Sequence, residues 1–146
     1  MTDEQTIIDT MRDFARVLTK GDTKKAISFF TEDAVWDTPN GTFSGIEGIT
    51  KYIEWMKSNI TDQTITETGI GISVKANTGI YEHIIGGITK GRKWDASAIC
   101  IYEFQGKKIK SIRMVYDRLK VAHQVTTGIA KTAVGNIVRE MEKGLH

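Results

Sequence analysis

The hydrophobic period of the chain changes once, near residue 62, and that change limits the folds open to it. Before it, apolar residues recur at helical spacing. Ile7, Met11, Phe14 and Leu18 mark a first helix, Ala26, Ile27, Phe29 and Phe30 a short second one, and Ile46, Ile49, Tyr52, Ile53 and Met56 a third. After it come four segments rich in Ile, Thr, Tyr and Val, near 62–75, 78–90, 92–105 and 107–118. Asn77-Thr78-Gly79, Lys90-Gly91 and Gln105-Gly106 separate them, and short Gly-containing breaks between β-prone runs are what hairpins require. Helices first and consecutive strands afterwards give an α+β domain, an antiparallel meander packed on helices.

Local signals refine this frame. Thr2 and Gln5 fit a capping box for the first helix, Gly21 its stop, and Asp22 a cap for the second. Ala34 to Thr38 reads as a strand closed by the turn Pro39-Asn40-Gly41. Gly86-Gly87 is expected to bend or bulge its strand. Beyond the strands, Leu119 to Val125 reads as helix, and Ile129, Ala133, Ile137 and Met141 continue at helical spacing. That apolar stripe must dock on its own sheet or on a partner subunit. Residues 1–125 are thus expected to form one pocket domain, and 126–146 a C-terminal helical extension of it.

Composition narrows the functional classes. Hydrophobic residues make up 40% of the 146 and charged residues 26%, which is ordinary for a globular chain. Twenty basic against 18 acidic residues leave a net charge of +2, too even for a protein that lives on phosphate backbones, so no nucleic-acid partner is expected. The polar, acidic start lacks a leader pattern and no apolar run approaches a membrane span, so a cytoplasmic setting without a membrane partner is expected. Cys100 lies in an apolar run and reads as a small buried hydrophobe. His83, His123 and His146 are scattered, and no phosphate loop, HExxH or CxxC occurs, so neither a metal nor a cofactor is expected.

Four residues carry possible chemistry. Asp37, beside Trp36, is either a desolvated base or an acceptor for turn amides. Tyr81 and His83 share one strand face, as a proton-handling pair or simply as buried residues. Asp117 shares a face with Arg113 and Val115, opposite Met114 and Tyr116. It is either an inward acid kept ionised by Arg113 or a strand-end partner of Arg118 or Lys120. Trp94, Ala96, Ala98, Cys100 and Tyr102 line one face of the third meander strand, large at the ends and small between, leaving room for a ligand or a helix.

Taken together, Lys20-Gly21-Asp22, Phe30 to Trp36, Phe43-Ser44-Gly45-Ile46-Glu47-Gly48 and Ile109 to Asp117 resemble the SnoaL-like, polyketide-cyclase branch of the nuclear-transport-factor-two-like superfamily, over roughly residues 3–125. The resemblance implies a cone-shaped, curved, mostly antiparallel sheet packed on three N-terminal helices. It also implies a pocket between them, a homodimer, and acid–base chemistry without cofactor on small hydrophobic oxygen-bearing molecules. Asp117 matches the catalytic acid of cyclases and of limonene-epoxide-hydrolase relatives. The hydrolases' Arg-x-Asp pair is replaced by Tyr81-Glu82-His83, which argues against epoxide hydrolysis. In the ketosteroid-isomerase register Phe14 stands where the oxyanion tyrosine would be, and Thr38 rather than Asp37 precedes Pro39, which argues against steroid isomerisation. The expected catalytic set is therefore Asp117, His83, Tyr81 and Asp37 facing one cavity, with Trp36, Phe14, Trp94, Tyr102, Val115 and Arg113 contacting the ligand. The alternative is a ligand-binding or dimer-scaffolding domain without turnover, favoured by a pocket with no carboxylate inside.

Overall fold

A computed structural model describes residues 2–146. Helix α1 spans Glu4–Lys20 and buries Ile7, Met11, Phe14 and Leu18 on one side. Its cap is Asp3, not the expected Thr2: the carboxylate accepts from the Thr6 amide at 2.8 Å, and Gln5 turns instead to Asp9. A carboxylate at a helix start satisfies an orphan donor and also meets the positive end of the dipole, so it outcompetes a hydroxyl there. Gly21, at φ 74°, closes the helix in the left-handed conformation with its N–H on the Leu18 carbonyl. Asp22 caps α2 (Thr23–Ile27) through the Lys25 amide, as the sequence suggests.

Strand β1 runs Phe30–Thr38, four residues earlier than expected, and β2 (Gly41–Ser44) folds back on it after the turn. Four residues are too few for a period to be read, so β2 has no signal in the sequence. Helix α3 (Gly45–Asn59) follows, then β3 (Thr61–Lys75), β4 (Thr78–Thr89), β5 (Arg92–Gln105) and β6 (Lys108–Tyr116), close to the four expected segments. The six strands form one sheet in the order β2-β1-β6-β5-β4-β3, antiparallel except for the β1–β6 pair. The fold is thus α+β, with a curved, mostly antiparallel sheet wrapped on the N-terminal helices.

The adjacent glycines behave differently from expectation. Pairing of β4 with β5 is unbroken through Gly86↔Asp95 and Gly87↔Trp94, and the irregularity lies on β3, between Thr61 and Thr64. A Cβ on Gly87 would sit 2.4 Å from Ile60 Cγ2 and 3.0 Å from the Thr61 carbonyl oxygen. The glycine therefore makes space for a bulge in its neighbour.

Phe14 is the hub of the core. Its ring meets Phe29, Phe30, Trp36 and Tyr102 at centroid distances of 5.6, 5.2, 5.9 and 6.2 Å, mostly edge to face. It is fully buried and, unlike Trp36 and Tyr102, does not line the interior cavity, which removes it from the expected ligand contacts: its face is spent on joining α1 to β1 and β5.

The C-terminal segment forms two helices, α4 (Arg118–Val125) and α5 (Gly128–Met141), broken at Gly128 with φ 60°. Helix α4 packs on β5, and α5 on α4. The stripe on α5 stays uncovered by this chain, with Ile129 91% and Met141 73% exposed, so it does not cap the sheet. Among the described residues no helix is long and apolar enough to cross a membrane.

Replacing Phe14 with Ala is expected to cost about 3–5 kcal/mol, since it removes a buried ring from four aromatic neighbours. Urea unfolding followed by far-UV circular dichroism measures it, and a loss below about 1 kcal/mol would show that the hub is not structural.

Candidate functional site: an aromatic cavity between sheet and helices

Directly paired residues on adjacent strands share a face, so one inward residue fixes its partners. On β5, Trp94, Ala96, Ala98, Cys100, Tyr102 and Phe104 all point to the interior, the alternation expected of that strand. Across the ladder Tyr102 pairs with Ile112, Cys100 with Met114 and Ala98 with Tyr116. Ile112, Met114 and Tyr116 must therefore face inward, and Arg113 and Val115 outward. The parity expected for β6 holds, but its two faces are exchanged.

The same rule places the two aspartates. Trp36 is buried, so Asp37 turns outward, where it accepts from the Thr42 hydroxyl at 2.7 Å. Asp117 is exposed and caps α4, accepting from the Lys120 amide at 3.0 Å. It borders a shallow outer depression with Glu82, Ile99 and Val115. Arg113 pairs with Glu103 at 3.0 Å on that outer face, and Val115 is 62% exposed. The expected convergence of Asp117, Asp37, Tyr81 and His83 on one cavity is thus corrected: the two aspartates lie outside it, Tyr81 is buried without lining it, and His83 alone of the four is in its wall.

The interior holds a cavity of about 570 Å³. Trp36, His83, Trp94 and Tyr102 line it as expected, joined by Tyr52, Trp55 and Met56 of α3 and by Met114 and Tyr116 of β6. All three tryptophans of the chain are in its wall. Tyr52 anchors the helical side: it stacks on Phe43 at 4.4 Å, meets Trp36 edge to face at 5.1 Å, and accepts weakly from Asn40 at 3.4 Å. Burial raises its phenol pKa, opposed by the Asn40 hydrogen bond. The Trp36 indole Nε1 is buried without an acceptor among the described residues. Sequence patterning marks Tyr52 only as the apolar side of a helix; nothing in it separates core from cavity wall.

Helix α4 spans the mouth. Val121, Ala122 and Val125 face the cavity, and Gln124 holds the far end: its Oε1 accepts from the Asp95 amide at 3.0 Å and its Nε2 donates to the Asp95 carbonyl at 2.8 Å. Arg92 adds a bond to the Gln124 carbonyl at 3.0 Å.

His83 is the titratable centre of the wall. It is 4% exposed, and its ring lies 4.5 Å from that of Tyr81, which is buried beside it but does not line the cavity. Its Nδ1 is 3.1 Å from the Tyr81 carbonyl oxygen. A carbonyl only accepts, so Nδ1 carries the proton in that bond and Nε2 is left as the basic nitrogen. Burial lowers the imidazole pKa below its ordinary 6.5, with the Tyr81 hydrogen bond opposing. Cys100 Sγ lies 4.0 Å from Nε2, but burial pushes the thiol up to about 12, so no thiolate–imidazolium nucleophile forms. Burial also keeps the Tyr102 phenol protonated. Among the described residues no carboxylate lines the cavity, and no three His, Cys, Asp or Glu side chains cluster as metal ligands.

The buried neutral imidazole makes stability depend on pH with a definite sign. The unfolded chain takes up this proton near its ordinary 6.5, before the folded chain does, so stability falls as pH drops below that value. Between about pH 7 and 5 the wild type is expected to lose more thermal stability than His83→Gln. Scanning calorimetry at several pH values measures the difference, and parallel profiles would contradict it.

Comparison with known proteins follows this geometry. The family model of the SnoaL-like domain matches residues 11–112. No curated protein matches. A protein of ketosteroid isomerase-like fold from Catenulispora acidiphila, solved in complex with trimethylamine, is 20% identical, with a TM-score of 0.73 over 85% of this chain and 93% of that one. A nuclear-transport-factor-two-like protein from Burkholderia xenovorans is 19% identical at a TM-score of 0.71, covering 86% and 100%. A Silicibacter protein provisionally named a polyketide cyclase is 16% identical at 0.75, covering 84% and 97%. At these identities the structural likeness is one of fold. With the family model spanning well over half of its residues, the chain belongs to the SnoaL-like domain family.

Proposed function

We propose that this chain takes up a small, largely apolar, oxygen-bearing molecule in the aromatic cavity. The observation that carries this reading is the wall itself: three tryptophans, tyrosines and methionines around about 570 Å³, with no carboxylate among the described residues. Apolar walls with few placed polar groups are the usual form of a small-molecule site. The unpaired Trp36 donor supports an oxygen on the ligand, which would supply the missing acceptor after a small shift of the ring.

A second reading, acid–base turnover on that molecule, is favoured by one observation: His83 Nε2 is held as a base at the cavity wall. It would take a proton from carbon beside a carbonyl, and a neutral phenol such as Tyr102 would donate to the resulting enolate oxygen. In this scheme Asp117 and Asp37 have no contact with the reacting atoms. A homodimer is proposed on separate grounds. Ile99 and Val115, paired across β5 and β6, form an exposed apolar patch beside the Glu103–Arg113 pair. A surface carrying both charge signs is complementary to itself about a two-fold axis.

Titration with 2-tetralone, read by tryptophan emission, tests uptake: a saturable change is expected, and none would refute the reading. Deuterium incorporation at the ketone α-carbon in D₂O tests turnover. It is expected to proceed with the wild type and to fall to background in His83→Gln, with binding retained. Equal exchange in both proteins would leave binding alone. Sedimentation velocity tests the dimer, which Val115→Lys is expected to shift toward monomer.

A further inference from the structure

The cavity has a charge sign. Its wall is neutral in the interior, but two cations, Lys90 and Arg118, join the lining, and no acidic side chain among the described residues does. Both are exposed, so they stand where the cavity meets solvent. They come from opposite ends of the lid region. Lys90 occupies the tight β4–β5 turn with φ 53°, and Arg118 opens α4. Arg118 Nη1 donates to the Pro39 carbonyl at 3.0 Å, which fixes the guanidinium and leaves its other N–H groups for a further acceptor. Among the described residues neither cation lies within ion-pair distance of a carboxylate. The neighbouring acids are directed elsewhere: Asp117 caps α4 through the Lys120 amide, and Asp95 lies on the outer face of β5, between the inward Trp94 and Ala96.

We infer that the ligand is an apolar acid: a hydrocarbon or aromatic body inside the cavity and one carboxylate at the mouth, held by Arg118, with Lys90 adding to the positive potential of the rim. This rests on the uptake proposed above and narrows it to a class. A carboxylate deep among Trp36, Tyr102 and Met114 would be stripped of water with no cation to replace it. At the mouth it stays hydrated, gains the charge-assisted donors of Arg118 and lies in the positive field that Lys90 adds to. An alkylammonium could lie on the aromatic faces, but its charge would meet only cations at the opening.

The test uses three ten-carbon probes of equal body, decanoate, 1-decanol and decylammonium, titrated at pH 8 in low salt and followed by tryptophan emission. Decanoate is expected to bind roughly three- to tenfold tighter than decanol, the size of effect that exposed charges supply, and decylammonium weakest. Raising the salt to about 0.5 M is expected to shrink the decanoate advantage in the wild type, a readout that needs no variant. The double variant Lys90→Met, Arg118→Gln is expected to lose the preference between decanoate and decanol. Decanol binding as tightly as decanoate, or decylammonium binding tightest, overturns the inference and leaves uptake standing. Failure of all three to bind while 2-tetralone binds overturns the inference alone, and failure of all four overturns both.

Discussion

The strand pairing between β5 and β6 is the constraint from which the rest of the site follows. Once Tyr102, Cys100 and Ala98 face the helices, Ile112, Met114 and Tyr116 are bound to do the same. A shift of one residue would reverse every side chain on β6 and place Arg113 against buried aromatic rings. Ile112 is fully buried and Val115 largely exposed, so the core itself holds the register. The cavity is what remains where small residues of β5, Ala96 and Ala98, lie between the large rings of Trp94 and Tyr102.

Much of this was legible in the residues. The switch of period places the first and third helices and the four long strands closely, and the β5 alternation identifies the inner wall. Phe29 and Phe30, read as helical, lie beyond α2, and Phe30 opens β1. What failed was the step from parity to face. Arg113, Val115 and Asp117 do share one side, but a single strand with polar and apolar residues on both faces does not say which side is covered. That depends on Ile109 and Ile112, which are both buried although three residues apart, across an irregularity in the β5–β6 pairing. Such a break is tertiary, set by the neighbour, and leaves no local pattern. Asp37 differs: its outward turn follows from plain alternation with the inward Ala34, Trp36 and Thr38, and β2 is too short to announce itself. Phe14 shows the converse: its helical spacing correctly predicts burial but cannot distinguish a hub of the core from a wall of the cavity.

The chemistry available changes with this placement. Two exposed carboxylates that cap a helix and steady a turn have structural work, and their loss from the interior leaves imidazole, phenol and thiol. Burial moves all three toward their neutral forms: it lowers the histidine and raises the cysteine and tyrosines. The cavity is therefore a low-polarity medium with a single base whose tautomer is fixed by the Tyr81 carbonyl. Such a medium suits ligands that would rather leave water, and it favours proton transfers that avoid full charge separation.

The hold of Gln124 on Asp95 has a kinetic meaning. Helix α4 spans the mouth, and the hydrogen bonds that tie its far end to the sheet come from one side-chain amide and one arginine. Releasing three hydrogen bonds to solvent requires no loss of the aromatic core, and motions of that scale belong to microseconds to milliseconds rather than to global unfolding. For the uptake proposed above, this tether would set the rate at which a molecule enters or leaves, separately from how strongly the rings hold it. Residence time and affinity can then be tuned at different residues.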